Sequence, residues 1–261
     1  MKVVILAGGR GTRISEESHL KPKPMIEIGS NPILWHIMKY YSHFGYNDFI
    51  ICCGYKGYII KEYFADYYLH RSDITFDFSR DNEMIVHNNV AEPWRVTIID
   101  TGLNTQTGAR IKKIQKFIGN EPFMLTYGDG VSNVDLDKLV EFHKKNGKYA
   151  TMTAIQPGGR FGVLDISKGN KIERFTEKSK EDGGWVNGGF MVLEPQVFDY
   201  LDDDPNLVFE RSPLENIAKD GQLMAYKHKG FWQCMDTLRD RILLEEMIEK
   251  NEAPWMVWEN E

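Results

Sequence analysis

Cysteine is scarce in this chain, which has three such residues in 261. Cys52 and Cys53 are adjacent and Cys234 is far from both, so the sequence holds neither a disulfide framework nor a paired Cys-x-x-Cys metal motif. We therefore expect reduced thiols, as in a cytoplasmic protein, with Cys52 and Cys53 as strand residues. The seven histidines contain no His-Glu-x-x-His motif, which excludes a zinc site of that kind.

The chain also lacks a basic excess and long apolar runs. Its formal net charge is -6, whereas proteins that bind nucleic acid normally carry a basic surface. The apolar run after Met1 is too short for a signal peptide, no later run approaches the roughly 18 apolar residues of a membrane helix, and no Asn-x-Ser/Thr sequon occurs. These absences predict no nucleic-acid partner, no membrane span, no export and a cytoplasmic location.

What the sequence does contain is an alternation of apolar runs and helical periodicity, which is typical of a mixed, mostly parallel α/β sheet flanked by helices. The runs Val3 to Leu6 and Phe49 to Cys53 are continuously apolar, as in strands buried on both faces. Between them, Asn31 is expected to cap a helix with Pro32 in its first turn. Residues 94–100 and 122–127 read as further strands, and Asp135 to Gly147 has the cap, periodicity and closing glycine of a helix.

The second half of the chain and the segment 65–94 contain further strand candidates. Short strand candidates broken by turns fill the second half before a final helix, and no low-complexity linker interrupts them, so we predict one continuous domain over 1–261. Residues 65–94 are aromatic, alternate in strand fashion and exceed a simple connection in length. We interpret them as a β-rich insertion that contributes to subunit contacts, the alternative being a flap that covers the core.

The segment LAGGRGTRISEESHLKPKPMIEIG follows the first predicted strand, at the place where an open α/β sheet has its ligand crevice. Gly8, Gly9 and Gly11 would let backbone N-H groups approach a phosphate closely. The segment lacks the third glycine of a dinucleotide fingerprint, and the chain has no Gly-x-x-x-x-Gly-Lys-Ser/Thr. The glycines alone are also compatible with a plain turn.

Basic residues favour a phosphate site over a turn. Arg13, Lys21 and Lys23 crowd the loop of an otherwise acidic protein, although a solvated charged face is the simpler alternative. Pro22 and Pro24 restrict the backbone on either side of Lys23. A stiffened lysine suits a catalytic position better than a surface one.

These motifs resemble a known family. LAGGRGTR followed by KPKPM resembles the signature of the sugar-1-phosphate nucleotidyltransferases. PILWHIMKYYSHFGYNDFIICCGYKGYIIKEYF, EPWRVTIIDTGLNTQTGARIKK, TYGDGV, NGGF and GFWQCMDTLRDR extend the resemblance along essentially the whole chain, to the branch whose substrates are CTP and glucose 1-phosphate.

The resemblance implies a Rossmann-like nucleotidyltransferase domain with a nucleotide-binding part at 1–130 and a sugar-binding and C-terminal part at 131–261. It also implies CDP-glucose as product, a supply step for deoxysugars of bacterial surface polysaccharide, and a homo-oligomer, possibly a hexamer. In such a reaction Arg13 would hold the triphosphate and leaving pyrophosphate, and Lys23 would reach the reacting phosphates. The nucleotide would be lined by Leu6, Gly8, Gly9, Gly11 and Thr12. The segment Asp100 to Arg110, here called the base loop, would bind the base through Gly108 and nearby polar groups, with phosphate as the alternative ligand of Arg110.

The chemistry needs no protein base, because a sugar phosphate with a second pKa near ~6 is largely ionised at neutral pH. It does need positioned cations and a metal ion for the charge on the phosphate oxygens. Asp129 in TYGDGV and Asp236 in FWQCMDT are the candidate Mg²⁺ ligands, which the family pattern pairs. Taken alone, Asp129 could equally belong to an Asp-Gly turn and Asp236 to a helix cap.

For the sugar, the resemblance points to FTEKS and VNGGF. Glu177 would accept hydrogen bonds from the sugar hydroxyls and Lys178 would meet the sugar phosphate. Asn187 with Gly188 would offer close polar contacts, and Tyr127 would pack along either the sugar or the ribose. An exposed strand pair and a glycine turn are the alternatives for these two motifs. Ser179 stands where many relatives have proline. The backbone next to Lys178 is therefore less restricted than in those relatives, and the position of the Lys178 side chain is less constrained.

Two other functions compete with this interpretation. One is a nucleotidyltransferase that uses UTP or dTTP with the same sugar phosphate. The other is a non-catalytic sensor of sugar nucleotides that has kept the fold. The joint presence of Arg13, Lys23, Asp129 and Asp236 speaks against the sensor.

Overall fold

The apolar run at the amino terminus lies in the middle of the main sheet. In the computed structural model, which describes residues 1–156, 163–166, 172–176 and 184–260, the strand Lys2–Ala7 is buried between two apolar cores. Val3 and Ile5 belong to one core, and Val4 and Leu6 belong to the other. The expected burial on both faces is confirmed, because successive side chains of a strand point to opposite sides of the sheet.

The elements alternate along the chain as the patterns predict. The described strands, β1 to β16, are Lys2–Ala7, Glu27–Ile28, Asn31–Pro32, Asp48–Cys53, Ser72–Asp77, Glu83–Asn89, Arg95–Asp100, Phe123–Tyr127, Gly130–Ser132, Ala150–Ile155, Val163–Ile166, Ile172–Thr176, Val186–Asn187, Met191–Leu193, Leu223–His228 and Trp232–Cys234. The described α-helices, α1 to α9, are Ser15–Ser18, Ile33–His43, Gly57–Ala65, Tyr67–His70, Thr107–Lys113, Gln115–Ile118, Leu136–Asn146, Ser212–Lys219 and Leu238–Glu249. Short 3₁₀ helices lie at Thr12–Ile14, Lys23–Met25, Pro195–Tyr200 and Val257–Asn260.

The main sheet is mixed and mostly parallel, as expected. Strands β7, β4, β1 and β8 lie side by side and run parallel, and β14 pairs antiparallel with β8. Strand β10 pairs antiparallel with β13 and β14 on one side and parallel with β15 on the other. The carboxyl ends of β1 and β8 therefore meet at one edge of the sheet, where ligand crevices form.

Helices cover both faces of this sheet. One core packs α2, α7 and α9 against the sheet through residues such as Met38, Leu139 and Leu244. The opposite core packs α5 and α8 through residues such as Ile111 and Ile217. The result is a layered α/β/α architecture that leaves the strand ends for the loops.

The segment 65–94 contains an antiparallel hairpin of β5 and β6, in agreement with the predicted β-rich insertion. Its residues are half-buried or exposed, and β6 is exposed throughout its length. The hairpin therefore projects from the layered body rather than packing into either core.

The predicted cap of α2 is wrong. Asn31 lies in β3, paired with Ile28 of β2, and Pro32 occupies the cap position before the helix begins at Ile33. The side-chain oxygen of Asn31 accepts a hydrogen bond from Arg71 at 2.6 Å instead of capping the helix. The hydrogen bond with the distant Arg71 thus takes the place of the helix cap that asparagine commonly forms.

Among the described residues, no helix has both the length and the apolar character needed to cross a bilayer.

Candidate active site

The glycine-rich loop lines a cavity of about 270 Å³ at the carboxyl ends of β1 and β8. The cavity brings together most of the residues predicted for the nucleotide with two cations and residues of the base loop. Its lining comprises Leu6, Ala7, Gly8, Gly9, Gly11, Thr12, Arg13, Lys23, Pro24, Thr105, Gln106, Thr107, Arg110, Tyr127, Gly128 and Asp129.

Lys23 stands at the centre of the charged groups. Its Nζ donates to Oδ2 of Asp129 at 2.6 Å and to Oδ1 of Asp236 at 2.7 Å. Arg13 donates to the other oxygen of Asp236, also at 2.7 Å. Two acids and two bases separated by up to 223 positions along the chain thus form one connected network.

Local backbone structure places Lys23. Pro22 is extended and precedes the 3₁₀ turn Lys23–Met25, which the amide of Met25 closes by donating to the carbonyl of Pro22 at 2.8 Å. Gly11 has a φ of +63°, and an added Cβ there would lie 3.2 Å from the Cβ of Lys23. Glycine at 11 therefore serves a left-handed backbone conformation as well as close packing against the lysine.

Lys23 and Asp236 hold opposite charges. Burial alone would lower the pKa of Lys23, but Asp129 and Asp236 outweigh it and raise that pKa above its ordinary value. Burial would likewise raise the pKa of Asp236, but the contacts of Lys23 and Arg13 hold it below its ordinary value. The lysine is therefore a cation and Asp236 an anion at neutral pH.

Strand pairing explains why the two aspartates meet. Strand β16 pairs antiparallel with β9, and the amide of Met235 donates to the carbonyl of Asp129 at 2.8 Å. The cap of α9 is Thr237, in a capping box with Asp240, so the capping alternative for Asp236 is wrong. Its carboxylate turns toward Lys23 and Arg13 instead.

The donor set fits a hard cation such as Mg²⁺. The oxygens of Asp129 and Asp236 already converge on one positive charge, the ammonium of Lys23. In the part of the chain that the structure describes, no group of three or more His, Cys, Asp or Glu side chains is arranged to hold a metal ion. Two carboxylates would therefore need phosphate and water oxygens to complete the coordination, which is how Mg²⁺ commonly binds.

Arg110 lines the cavity, but its guanidinium is bonded within the protein. It donates to the carbonyl oxygens of Gly8, Cys53 and Gly102 and to the hydroxyl of Thr101, over 2.5 to 3.0 Å. A Cβ on Gly8 would lie 2.2 Å from its Nη1. The absence of a side chain at Gly8 thus makes room for a buried arginine, a reason that the sequence pattern did not reveal.

Gly108 lies behind the cavity wall. Its amide donates to the carbonyl of Leu207 at 2.9 Å, and an added Cβ would lie 2.8 Å from the Cγ of Leu207. The residues of the base loop that reach the cavity are Thr105, Gln106 and Thr107. Sequence reasoning did not single these out, although all three are polar members of the segment it named.

The sugar-side residues lie next to Tyr127. Asn187 donates from Nδ2 to the hydroxyl of Tyr127 at 3.0 Å, and Gly188 is packed so closely that a Cβ would lie 2.8 Å from Ile155. The hydroxyl of Tyr127 donates to Glu210 at 2.6 Å, a residue that no motif indicated. Glu177 and Lys178 lie outside the described residues, so their roles stay predictions.

Comparison with known proteins gives similarity along the whole chain. A family model described as nucleotidyl transferase matches residues 2–242. The chain is 56% identical over 260 residues to the glucose-1-phosphate cytidylyltransferase of Salmonella typhi, covering 99% of this chain and 100% of that protein. It is 45% identical over 258 residues to the probable glucose-1-phosphate cytidylyltransferase of Bacillus subtilis (strain 168), with the same coverage. Among solved structures, HddC from Yersinia pseudotuberculosis matches with a TM-score of 0.69 at 25% identity, covering 95% of this chain and 99% of that one.

Proposed function

Because the chain belongs to the nucleotidyl transferase family, we propose that this nucleotidyltransferase moves a cytidylyl group from CTP to α-D-glucose 1-phosphate. An oxygen of the sugar phosphate forms a bond to the α-phosphorus of CTP, and the bond from that phosphorus to the β-phosphate oxygen breaks. The products are CDP-glucose and pyrophosphate.

The observation that carries the proposal is the convergence of Lys23, Asp129 and Asp236 at the cavity behind the glycine loop. Two polyanions must be brought together before this reaction can proceed, and a fixed ammonium lowers the electrostatic cost of that encounter. Lys23 is held in place by its two carboxylates and by the prolines on either side. It contacts the reacting phosphates in our proposal.

Arg13 supplies a second, more exposed cation. Its side chain is 72% exposed and reaches one carboxylate oxygen of Asp236. A guanidinium can hold phosphate oxygens through two parallel hydrogen bonds, which suits the triphosphate tail and the leaving pyrophosphate.

The two aspartates would hold Mg²⁺. When bound, the ion would offset the negative charge that grows on the phosphate oxygens. Asp129 follows β8 and Asp236 follows β16, and the carboxylates of both converge on the ammonium of Lys23.

The nucleotide lies along Leu6, Gly8, Gly9, Gly11 and Thr12, and the sugar phosphate meets Tyr127, Glu177, Lys178, Asn187 and Gly188. Arg110 and Gly108 act indirectly, since both are bonded to other parts of the protein. Arg110 fixes the loop by binding the carbonyl of Gly8, and Gly108 lets the segment at Leu207 pack behind the base loop. The cytoplasmic location expected from the sequence stays a prediction.

The test is pyrophosphate release with glucose 1-phosphate and each of CTP, UTP, dTTP and ATP in the presence of Mg²⁺. Release with CTP at a kcat/KM at least tenfold above the others supports the proposal. A preference for UTP or dTTP would replace the cytidylyl transfer with one of these related transfers. No release with any nucleotide would favour the sensor.

We also propose that the chain is a homo-oligomer assembled through the hairpin of β5 and β6, and a hexamer is the state that the family resemblance implies. Large apolar side chains are exposed on and beside this hairpin, namely Phe76, Phe78, Met84, Ile85, Val86 and Val90. Exposed apolar area of this kind is typical of a protein interface. Sedimentation velocity of Phe76→Ser/Phe78→Ser should show dissociation, whereas Ile242→Ser on α9, which is also apolar and exposed, should not.

A further inference from the structure

The segment that precedes α8 forms the back wall of the base loop. The amide of Gln106 donates to the carbonyl of Pro205 at 2.8 Å, and the amides of Gly108 and Ala109 donate to the carbonyl of Leu207 at 2.9 and 3.2 Å. The first amides of a helix have no partner within it, and Gln106 supplies no side-chain cap to α5. A segment about a hundred residues away in the chain therefore caps this helix.

Glu210, in the same segment, contacts two residues that line the cavity. Its Oε2 accepts the hydroxyl of Thr107 at 2.6 Å, and its Oε1 accepts the hydroxyl of Tyr127 at 2.6 Å. One carboxylate thus holds both the first residue of α5 and the last residue of β8, the strand that Asp129 follows.

Core packing and a further hydrogen bond hold the backbone next to Glu210 in place. Phe209, its neighbour in the chain, is fully buried in the core and donates from its amide to the hydroxyl of Thr107 at 2.9 Å. The carboxylate is half-buried, and the ion pairs among the described residues do not include it. Two hydroxyl groups donate to this carboxylate, and hydrogen bonds to a carboxylate are shorter and stronger than those between neutral groups.

The network continues to the sugar side. The hydroxyl of Tyr127 donates to Glu210 and accepts from the Nδ2 of Asn187 at 3.0 Å. The amide nitrogen of Asn187 can only donate and the carboxylate oxygen of Glu210 accepts, so the phenol hydroxyl accepts from Asn187 and donates to Glu210.

From this geometry we infer that Glu210 is a positioning residue that couples the two halves of the site. It holds Thr107 on the nucleotide side and Tyr127 on the sugar side, and both of these residues line the cavity whereas Glu210 does not. The inference rests on the proposed function for the identity of the two substrates. It adds a residue on which the affinity for both of them depends.

Calorimetric titration with CTP alone or with glucose 1-phosphate alone tests the inference without turnover. For Glu210→Ala, we expect the dissociation constants of CTP and of glucose 1-phosphate each to rise about tenfold, the effect of losing one hydrogen bond to a charged group on each side. Steady-state KM values should rise in parallel, with kcat changed by less than about threefold because no group that touches the reacting atoms is removed. Glu210→Gln, which keeps an acceptor for one hydroxyl, should lie between Glu210→Ala and the wild type.

Matched variants separate the hydrogen bond on the nucleotide side from the one on the sugar side. Thr107→Val removes only the hydroxyl on the nucleotide side and should weaken CTP, whereas Tyr127→Phe should weaken glucose 1-phosphate. Glu215→Ala, which removes an exposed carboxylate from α8, should leave both affinities and the melting temperature unchanged.

Several results would overturn the inference. Dissociation constants within twofold of the wild type for Glu210→Ala and Glu210→Gln would remove Glu210 from substrate binding. A change for one substrate alone would remove the coupling, and a lower melting temperature with unchanged affinities would reduce Glu210 to a structural residue. Each of these results leaves CTP-dependent pyrophosphate release by the wild type intact, whereas failure of the proposed function would abolish that release.

Discussion

At the residue scale, Lys23 combines two properties that rarely coincide, burial and a full positive charge. It is 7% exposed, and the carboxylates of Asp129 and Asp236 raise its pKa. A buried cation with two acidic partners is fixed in direction, so it can act on a phosphate without first losing conformational freedom.

Lys23→Ala should therefore abolish most turnover. Removal of one such electrostatic contact costs about 3 kcal/mol in the transition state, which predicts a kcat lower by roughly 10²-fold or more. Pyrophosphate release at saturating substrates measures this. Lys21→Ala is the matched control, because Lys21 belongs to the same motif but pairs with the exposed Glu27 at 2.7 Å. Near-normal turnover in Lys23→Ala would remove this lysine from the mechanism.

The aspartates give a second prediction at this scale. Asp129→Asn and Asp236→Asn keep the side-chain shape but lose the charge, so each should raise the Mg²⁺ concentration needed for half-maximal activity. The double variant should be little worse than the poorer single one, because residues that hold one ion act as a unit.

Thermal stability provides the readout for the aspartates that is independent of turnover. Mg²⁺ should raise the melting temperature of Lys23→Ala more than that of the wild type, since the variant lacks the ammonium that contacts both carboxylates. Unchanged Mg²⁺ titrations in both single aspartate variants would contradict the metal assignment.

At the element scale, the loop after β1 is held by an arginine from α5. Arg110 binds the carbonyl oxygens of Gly8 and Gly102, which lie in two loops, and of Cys53, the last residue of β4. Buried carbonyl groups need partners, and one guanidinium with five donors satisfies several at once. The shape of the nucleotide loop thus depends on a helix that lies a hundred residues away.

Gly8→Ala and Gly9→Ala form a matched pair that tests this role. An alanine Cβ at 8 would lie 2.2 Å from Nη1 and 2.3 Å from Cζ of Arg110, whereas at 9 it would meet nothing within 4 Å. Because the guanidinium cannot move without breaking its hydrogen bonds, Gly8→Ala should lower the free energy of unfolding by about 1–3 kcal/mol. Gly9→Ala should leave it unchanged, even if the nucleotide binds less well. Urea denaturation measures both, and equal stability of the two variants would contradict the role of Arg110.

At the scale of the whole molecule, buried histidines connect stability to pH. His36 is 2% exposed, contacts the carbonyl of Ile28 through Nε2 at 3.0 Å, and accepts a hydrogen bond from Trp255 on Nδ1 at 3.4 Å. Both ring nitrogens are satisfied only in the neutral form. Burial, slightly opposed by the contact with Ile28, lowers the pKa of His36 to about 4.

The sign of the effect follows from this lowered pKa. Above the ordinary value of 6.5 the full contribution to stability is present, and it is lost as the pH falls toward 4, because the unfolded chain takes up the proton first. The loss should reach up to about 3 kcal/mol. The measurement is the free energy of unfolding as a function of pH. In His36→Gln, whose amide can make both hydrogen bonds without titrating, this free energy should change less between pH 6.5 and pH 4 than in the wild type. His143 and His228, whose pKa values are also lowered by burial, should leave a smaller residual slope. Parallel curves for His36→Gln and the wild type would contradict the assignment.

Much of the architecture could be predicted from local sequence patterns. The continuous apolar runs predicted strands buried on both faces, and Asp135 was expected to cap the helix that begins at Leu136, where its side chain indeed accepts from the amide of Lys138. The resemblance brought Lys23, Asp129 and Asp236 into one hypothesis, and these three side chains contact one another. Periodicity and caps are properties of neighbouring residues, and for that reason they can be read along the chain.

What the sequence by itself determined is therefore the alternation of elements, the glycine loop and the kinds of charge around it. Only the tertiary structure decided which of these groups are partners. Asn31 does not cap a helix but accepts a hydrogen bond from Arg71. The guanidinium of Arg110 donates to three carbonyl oxygens, and the carboxylate of Glu210 accepts from Thr107 and Tyr127. Apart from the contact of Arg110 with Gly102, which spans 8 residues, those contacts span 40 to 103 residues. Local propensity acts over a few residues, whereas the partner of a buried polar group is set by where distant strands and loops cross.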